Sequence, residues 1–282
     1  MTIPNPTLRQ RQLAMRLREL RNEQNLSIAE VAQALLCSPA KISRIETAQR
    51  GVSLRDVRDL CRLYDVSAAE SAQLMTLAKD ARQKEWWQFY DNRELRQMLG
   101  LEAEASAITE YEITTVPGLL QTEDYARAVI RGWLPRIAPD VLEDRVKVRM
   151  KRQEWLHRHD TLRYWVLLDE SVLYRHVGSR QAMREQLDRL IELSELPHVT
   201  VQVIPFTAGA HVGFDSTFRL MEFDHDSGIA DTIFVEHQMG LFYLEADKVV
   251  RRFREIIDHL RAEALGIQES KRRITEMAAN FA

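Results

Sequence analysis

Four serines constrain the front of this chain more than any other feature. Ser27, Ser38, Ser53 and Ser67 each stand directly before a short run with helical apolar spacing. A serine there accepts a hydrogen bond from a first-turn backbone N–H and so starts a helix. Glu30 follows Ser27 by three residues, the spacing of a capping box. Pro39 follows Ser38 and takes the first helical position, where its missing N–H costs nothing. The runs carry Val31, Ala32 and Leu35, then Ile42 and Ile45, then Leu54, Val57, Leu60 and Leu63. Upstream, Leu13, Leu17 and Leu20 make one stripe behind a cap candidate at Thr7. The connections are short and carry no strand signal. Residues 1–84 are therefore expected to form an all-α unit of five helices.

The texture changes after Lys84. WWQFYDN is dense in aromatics, and Trp86 and Trp87 read as buried side chains at a junction rather than as a stacking platform. Residues 94–107 are helix-like, ITEYEITTVPGLL suggests a strand ended by Pro117-Gly118, and Thr122 opens a further helix. A charged helix is expected over 139–158 and another over about 179–194. LRYWVLL, VTVQVIPF, STFRLMEF and DTIFVEH read as strands, and two helices close the chain. The chain of 282 residues thus divides into the five-helix unit and a larger α+β (mixed α/β) domain over 85–282. No apolar run approaches the ~20 residues of a bilayer span. The N-terminus lacks the apolar core of a secretory signal, so a cytoplasmic protein is expected. Cys37 and Cys61 are too few for a disulfide framework or a metal site of their own, and Cys61 falls in an apolar helical pattern.

Charge is split between the two parts. Residues 1–84 hold 14 Lys+Arg against 9 Asp+Glu, and the remainder holds 25 against 33. A basic head on an acidic body fits a nucleic-acid-binding unit joined to something that does another job. On the third helix, Ile42 and Ile45 point to the core at 100° per residue. The opposite face is Ala40, Ser43, Arg44 and Thr47, flanked by Lys41. Two short helices joined by a turn, the second flat-faced and tipped with arginine, describe a helix-turn-helix. Short outer side chains allow close approach to base edges in a major groove. Pro39, Ala40, Ser43 and Arg44 are thus the candidate base readers, with Arg44 suited to guanine and Pro39 and Ala40 to a thymine methyl. Ser27, the Ile28 amide, Lys41, Thr47, Gln49, Arg50 and Arg55 are the candidate phosphate contacts.

Leu26-Ser27, Glu30-Val31-Ala32, Leu36, Ser38, Ile42-Ser43-Arg44-Ile45-Glu46 and Gly51 resemble the lambda-repressor-like (Cro/repressor, XRE-type) helix-turn-helix family over about residues 10–77. The resemblance implies a five-helix DNA-binding domain and an architectural pair between Arg21 and Glu46. VPGLLQTEDYARAVI, DESVLYRHVG, VTVQVIPFTAGAH and FVEH resemble the C-terminal domain of actinobacterial WhiJ-type, antitoxin-like regulators, from about Trp86 to the end. That resemblance implies a transcriptional regulator that senses a protein partner or a ligand.

Within the body, Glu170, Arg175, His211 and Glu236 are candidates for a regulatory pocket. Glu170 and Arg175 either pair with each other or line a ligand cavity. His237 beside Glu236 reads as a hydrogen-bonded pair at a sheet margin. No HExxH, GxSxG, P-loop or GxGxxG pattern occurs, so no catalytic residue, metal or cofactor is expected. The run Arg145, Lys147, Arg149, Lys151, Arg152 interleaves with acids and reads as a solvated, internally paired helix face. The expectation is a homodimeric, sequence-specific regulator that binds a double-stranded operator in the nucleoid and touches no membrane. Its body would sense an effector or a small protein encoded nearby. The other readings are an antitoxin-like protein with autoregulatory DNA binding and an enzyme with a DNA-targeting head.

Overall fold

The computed structural model describes residues 8–82, 93–158, 162–224, 227–237 and 240–281. Thr7, Trp86 and Trp87 lie outside them, as does the expected boundary after Lys84. The chain separates into two compact units, Met1–Glu104 with Asp224–Ile229, and Ala105–Phe223 with Ala230–Ala282.

The first unit has α1 (Leu8–Glu23), α2 (Ile28–Ala34), α3 (Pro39–Glu46), α4 (Leu54–Leu63) and α5 (Ala68–Asp80), followed by α6 (Arg93–Glu104). Each of the four serines caps its helix by accepting from the N–H three residues on. Three of the connections repeat one device. Asn25, Leu36 and Asp65 take a left-handed backbone at the ends of α1, α2 and α4. The next amides, Leu26, Cys37 and Val66, then donate back to Arg21, Ala32 and Cys61 at 3.1, 2.9 and 3.0 Å. These are Schellman closures, and the apolar residue in each packs on the core before the serine starts the next helix. The core is Leu13, Leu17 and Leu20 of α1 against Val31, Ile42, Ile45, Val57, Leu60, Cys61 and Leu74.

The second unit is a six-stranded mixed sheet in the order β3-β2-β1-β4-β5-β6. The strands are β1 (Ala107–Glu112), β2 (Arg163–Asp169), β3 (Val199–Ile204), β4 (Phe218–Glu222), β5 (Thr232–His237) and β6 (Gly240–Leu244). β1, β2 and β3 are parallel neighbours, while β4, β5 and β6 extend the sheet antiparallel. β2 and β3 are mostly apolar, as strands covered on both faces are, whereas β1 carries Thr109, Glu110 and Glu112. α7 (Glu123–Trp133), α8 (Pro139–Arg152) and α9 (Glu154–Arg158) connect β1 to β2; α10 (Ser171–Tyr174) and α11 (Arg180–Leu193) connect β2 to β3. α12 (Asp247–Glu263) lays Val250, Ile257 and Leu260 on Tyr111, Leu167, Phe218 and Ile233. α13 (Ile267–Ala279) packs on β3 and α11.

The body differs from expectation in three places. The helix expected over 139–158 breaks at Gln153, whose side-chain amide donates to the carbonyls of Gly118 and Gln121 at 3.2 and 2.6 Å. β6 and α10 carry no clear sequence signal of their own. The basic run is only partly solvated. Lys147 pairs with Asp144 at the surface, but Arg152 is buried and Arg149 turns in to donate to Gln121 Oε1 at 2.8 Å. Burial, with Arg152 alongside, pushes the Arg149 guanidinium down to about 10.

Candidate nucleic-acid interface and the polar sites of the body

The outward face of α3 follows directly from its cap. Ser38 Oγ accepts from Lys41 N at 3.3 Å, and Pro39 starts the helix with Ile42, Ile45 and Glu46 turned inward. Pro39, Ala40 and Arg44 are left exposed and Ser43 half-buried. The Arg44 side chain makes no hydrogen bond or ion pair among the described residues. The same holds for the side chain of Arg50, whose amide closes the end of α3 by donating to Arg44 O at 3.0 Å. Gln49 is exposed beside it.

Behind this face, Arg21 Nε and Nη2 donate to the two oxygens of Glu46 at 2.7 and 3.0 Å, and Arg21 Nη1 donates to Leu26 O at 2.7 Å. One guanidinium thus ties α1 to α3 and to the connection before α2. The Glu46 carboxylate, only 4% exposed, holds the Arg21 guanidinium above its ordinary value.

Three expected phosphate contacts are committed elsewhere. Lys41 Nζ lies 2.6 Å from Asp56 Oδ1 of α4, so its charge is largely neutralised within the unit. Burial alone would raise the Asp56 carboxyl; hydrogen bonds from Lys41 and Ser53 outweigh it and hold the group below the usual range. Ser27 N donates to Glu30 Oε2 at 2.8 Å while Ser27 Oγ accepts from Glu30 N at 3.2 Å. The start of α2 therefore already carries a carboxylate, leaving the Ile28 amide and the Ser27 hydroxyl as its donors. Thr47 Oγ1 donates to Ser43 O at 2.8 Å, turning its hydroxyl to its own helix. Arg55 is 84% exposed and 3.8 Å from Asp59, a weak surface pair.

The four candidates of the body do not assemble. Glu170 is buried and receives Arg273 of α13 and the Phe206 amide, the latter at 2.7 Å, so its partner is Arg273 and not Arg175. Arg175 ends α10 and is exposed. His211 sits in the segment after β3, with Nδ1 accepting from Gly213 N at 3.3 Å and Nε2 3.8 Å from Asp169 Oδ2. Glu236 is exposed on β5, separated from β2 by β1 and β4. The acid/base set that an enzyme reading needed is thus dispersed.

The sequence reading missed a buried polar core in the sheet. Glu110 accepts from Tyr164 Oη and from Arg219 Nη2, each at 2.5 Å, and faces Arg219 directly in the β1–β4 register. The available signal was Glu110 between Ile108 and Tyr111 in a strand-like stretch. Among the described residues no group of three or more His, Cys, Asp or Glu is placed to hold a metal ion, and no helix is long and apolar enough to cross a membrane.

A comparison with curated proteins finds no match. Family profiles match on both sides of the junction. Residues 12–74 match a helix-turn-helix domain. Residues 95–276, well over half of the chain, match a domain of unknown function, DUF5753. By the match over 95–276 this chain belongs to the DUF5753 family, and its N-terminal part is a helix-turn-helix domain.

Proposed function

We propose that the protein is a sequence-specific transcriptional regulator of the XRE type, acting as a homodimer in the cytoplasm on the nucleoid. One observation carries the reading: α3 presents Pro39, Ala40, Ser43 and Arg44, whose side chain has no partner among the described residues, on one face. Such a face enters a major groove, where Arg44 bonds guanine bidentately and Ala40 and Pro39 meet thymine methyls. Arg50, Gln49, the Ile28 amide and Arg55 supply phosphate contacts. Thr47, Ser27 and Lys41 contribute less, because their polar groups already have partners. Two half-sites about one helical turn apart would multiply the small contact that one head offers. The acidic body is the regulatory half, as its resemblance to WhiJ-type regulators implies.

The test is selection of bound duplexes from a random pool. The parent protein should enrich a two-fold symmetric site, and Arg44→Ala should relax choice at one position per half-site by about 1–3 kcal/mol. A parent that enriches nothing, or an Arg44→Ala variant with the parent's preference, refutes the assignment of α3 to the groove.

A further inference from the structure

In the body, the carboxyl ends of β1 and β2 are crossed by the segment 205–217, which carries the chain from β3 over to β4 on the far side of β1. In open sheets this is where binding sites gather, at the point where the strand order reverses. The segment rests closely on β1. A Cβ on Gly213 would come within 2.5 Å of the Tyr111 ring, so only glycine fits there. His211 stands edge-on to Tyr111 with ring centres 6.1 Å apart. Beneath it the Tyr111 hydroxyl is buried and makes no hydrogen bond among the described residues.

What the segment shows to solvent is unusual. Phe206 is 55% exposed, Phe214 69% and Val212 48%. Tyr174 of α10 joins them, half-exposed, with its ring 5.4 Å from that of Phe206. Single exposed apolar residues need no explanation, but four of them on one short segment and the helix beside it, three with aromatic rings, mark an interaction surface. The acids on the segment's side are Asp215 and Asp169, while the exposed Arg175 follows Tyr174 at the other margin. Asp215 is exposed and has no ion-pair partner among the described residues. The Asp169 side chain, 17% exposed, meets the Ser171 amide at 2.9 Å and His211 among the described residues. Glu170 differs, being satisfied by Arg273. Burial pushes the Tyr111 phenol up, and Asp169, Asp215 and Glu112 nearby add to it.

These facts select the occupant. A nucleic acid would meet acids. A second copy docked on the same patch would set Asp169 and Asp215 against themselves, and like charges so placed cost several kcal/mol. A small molecule is held by an enclosing pocket, whereas these rings are each about half-exposed along an open segment. We propose that segment 205–217 with Tyr174 is the docking surface for another protein, which seats an arginine or lysine against Asp169 and Asp215 and lays apolar side chains on Phe206, Val212 and Phe214. The proposal rests on the reading of the body as the regulatory half of a DNA-binding protein.

The experiment places the photoreactive residue p-benzoylphenylalanine at position 206 or 214 of the full chain in its own host, irradiates the cells and sequences the crosslinked peptides. The expected product is one partner whose crosslinked segment carries Arg or Lys beside a large apolar residue. Asp215→Asn and Asp169→Asn should each cut the crosslinking yield about tenfold while leaving the melting temperature in place. The proposal is overturned if neither position crosslinks, if the only partner is another copy of this chain, if the captured segment has no cation, or if both Asn variants crosslink like the parent. Binding of the selected duplex by Asp215→Asn is measured alongside. Failure of the parent to bind any duplex sinks the DNA reading, while the crosslinks judge the docking surface separately.

Discussion

The Arg21–Glu46 pair offers a sharp test of how the head is held together. Glu46→Ala removes both acceptors from a guanidinium whose side chain is 12% exposed and leaves it one carbonyl, Leu26 O. Removing one member of a buried pair costs about 3–5 kcal/mol, because the survivor stays desolvated without a counter-charge. Arg21 keeps one hydrogen bond and some solvent, so the lower end, about 3 kcal/mol, applies here. Hydrogen exchange read by mass spectrometry on peptides from residues 8–82 reports the head alone. The slowest amides of α1 and α3 should exchange faster by about two decades, since each 1.4 kcal/mol is a factor of ten. Arg21→Met combined with Glu46→Leu should recover most of that loss, because a well-packed apolar pair needs no counter-charge. Unchanged exchange in Glu46→Ala, or a double variant as labile as the single one, would refute the reasoning. The first result would mean the pair contributes nothing net; the second would mean shape, not charge, is what the site lacks.

Leu36→Gly should stabilise the head. The left-handed backbone costs leucine about 1–2 kcal/mol and glycine's extra chain entropy returns about 0.5–1, while a side chain 94% exposed has no packing to lose; a fall in melting temperature would count against this. The Asp56 carboxyl lies below its unfolded value, so its contribution is complete above about pH 4 and is lost as pH falls through the folded value. Lys41→Ala should therefore move the Asp56 carboxyl carbon titration, followed by NMR, back toward the ordinary range; an unmoved titration would disprove the coupling. On duplex DNA, Arg50→Ala should reduce the slope of log affinity against log salt by about one, and Lys41→Ala by clearly less. Equal losses in the two variants would show that Lys41 leaves Asp56 on binding.

What the residues disclose depends on how far apart the partners lie. Ser38, Pro39 and the stripe Ile42–Ile45 act within two turns, so α3 and its outward face could be read directly. The Schellman closures are local too, but Leu36 hides one, because glycine is the usual sign of that backbone. Lys41 and Asp56 are fifteen residues apart and sit on different helices. Nothing near Lys41 in the sequence says that its charge is spoken for. Glu170 and Arg273 are separated by 103 residues, and the nearer Arg175 invited the wrong pairing. Arg149 and Arg152 looked solvated because charge interleaves along α8, yet their side of the helix faces Gln121 and Gly118. Strands failed to announce themselves where burial did not impose a pattern. β6 is half-exposed along most of its length, so alternation is weak.

The same distinction decides where the head is electropositive. Its formal excess of five positive charges says little about position. Arg16 is engaged by Glu19, Glu23 and Glu70, Arg21 by Glu46, and Lys41 by Asp56. Each of these cations has its field cancelled within a few ångströms. Arg44 and Arg50 have no such partner among the described residues, and both stand at the exposed end of α3. Arg18, Arg62, Lys79 and Arg82 also lack an ion pair among the described residues, so what sets Arg44 and Arg50 apart is their place beside the flat face. A phosphate backbone is drawn to uncancelled charge and not to a count, so on the proposed reading Arg44 and Arg50 would attract the duplex to the face that meets the bases. Reversing a distant pair, as in Glu70→Lys, would raise the net charge by two without adding to this edge. It should strengthen binding to the selected duplex far less than its charge change suggests, because screening over a Debye length of about 8 Å keeps it from the groove.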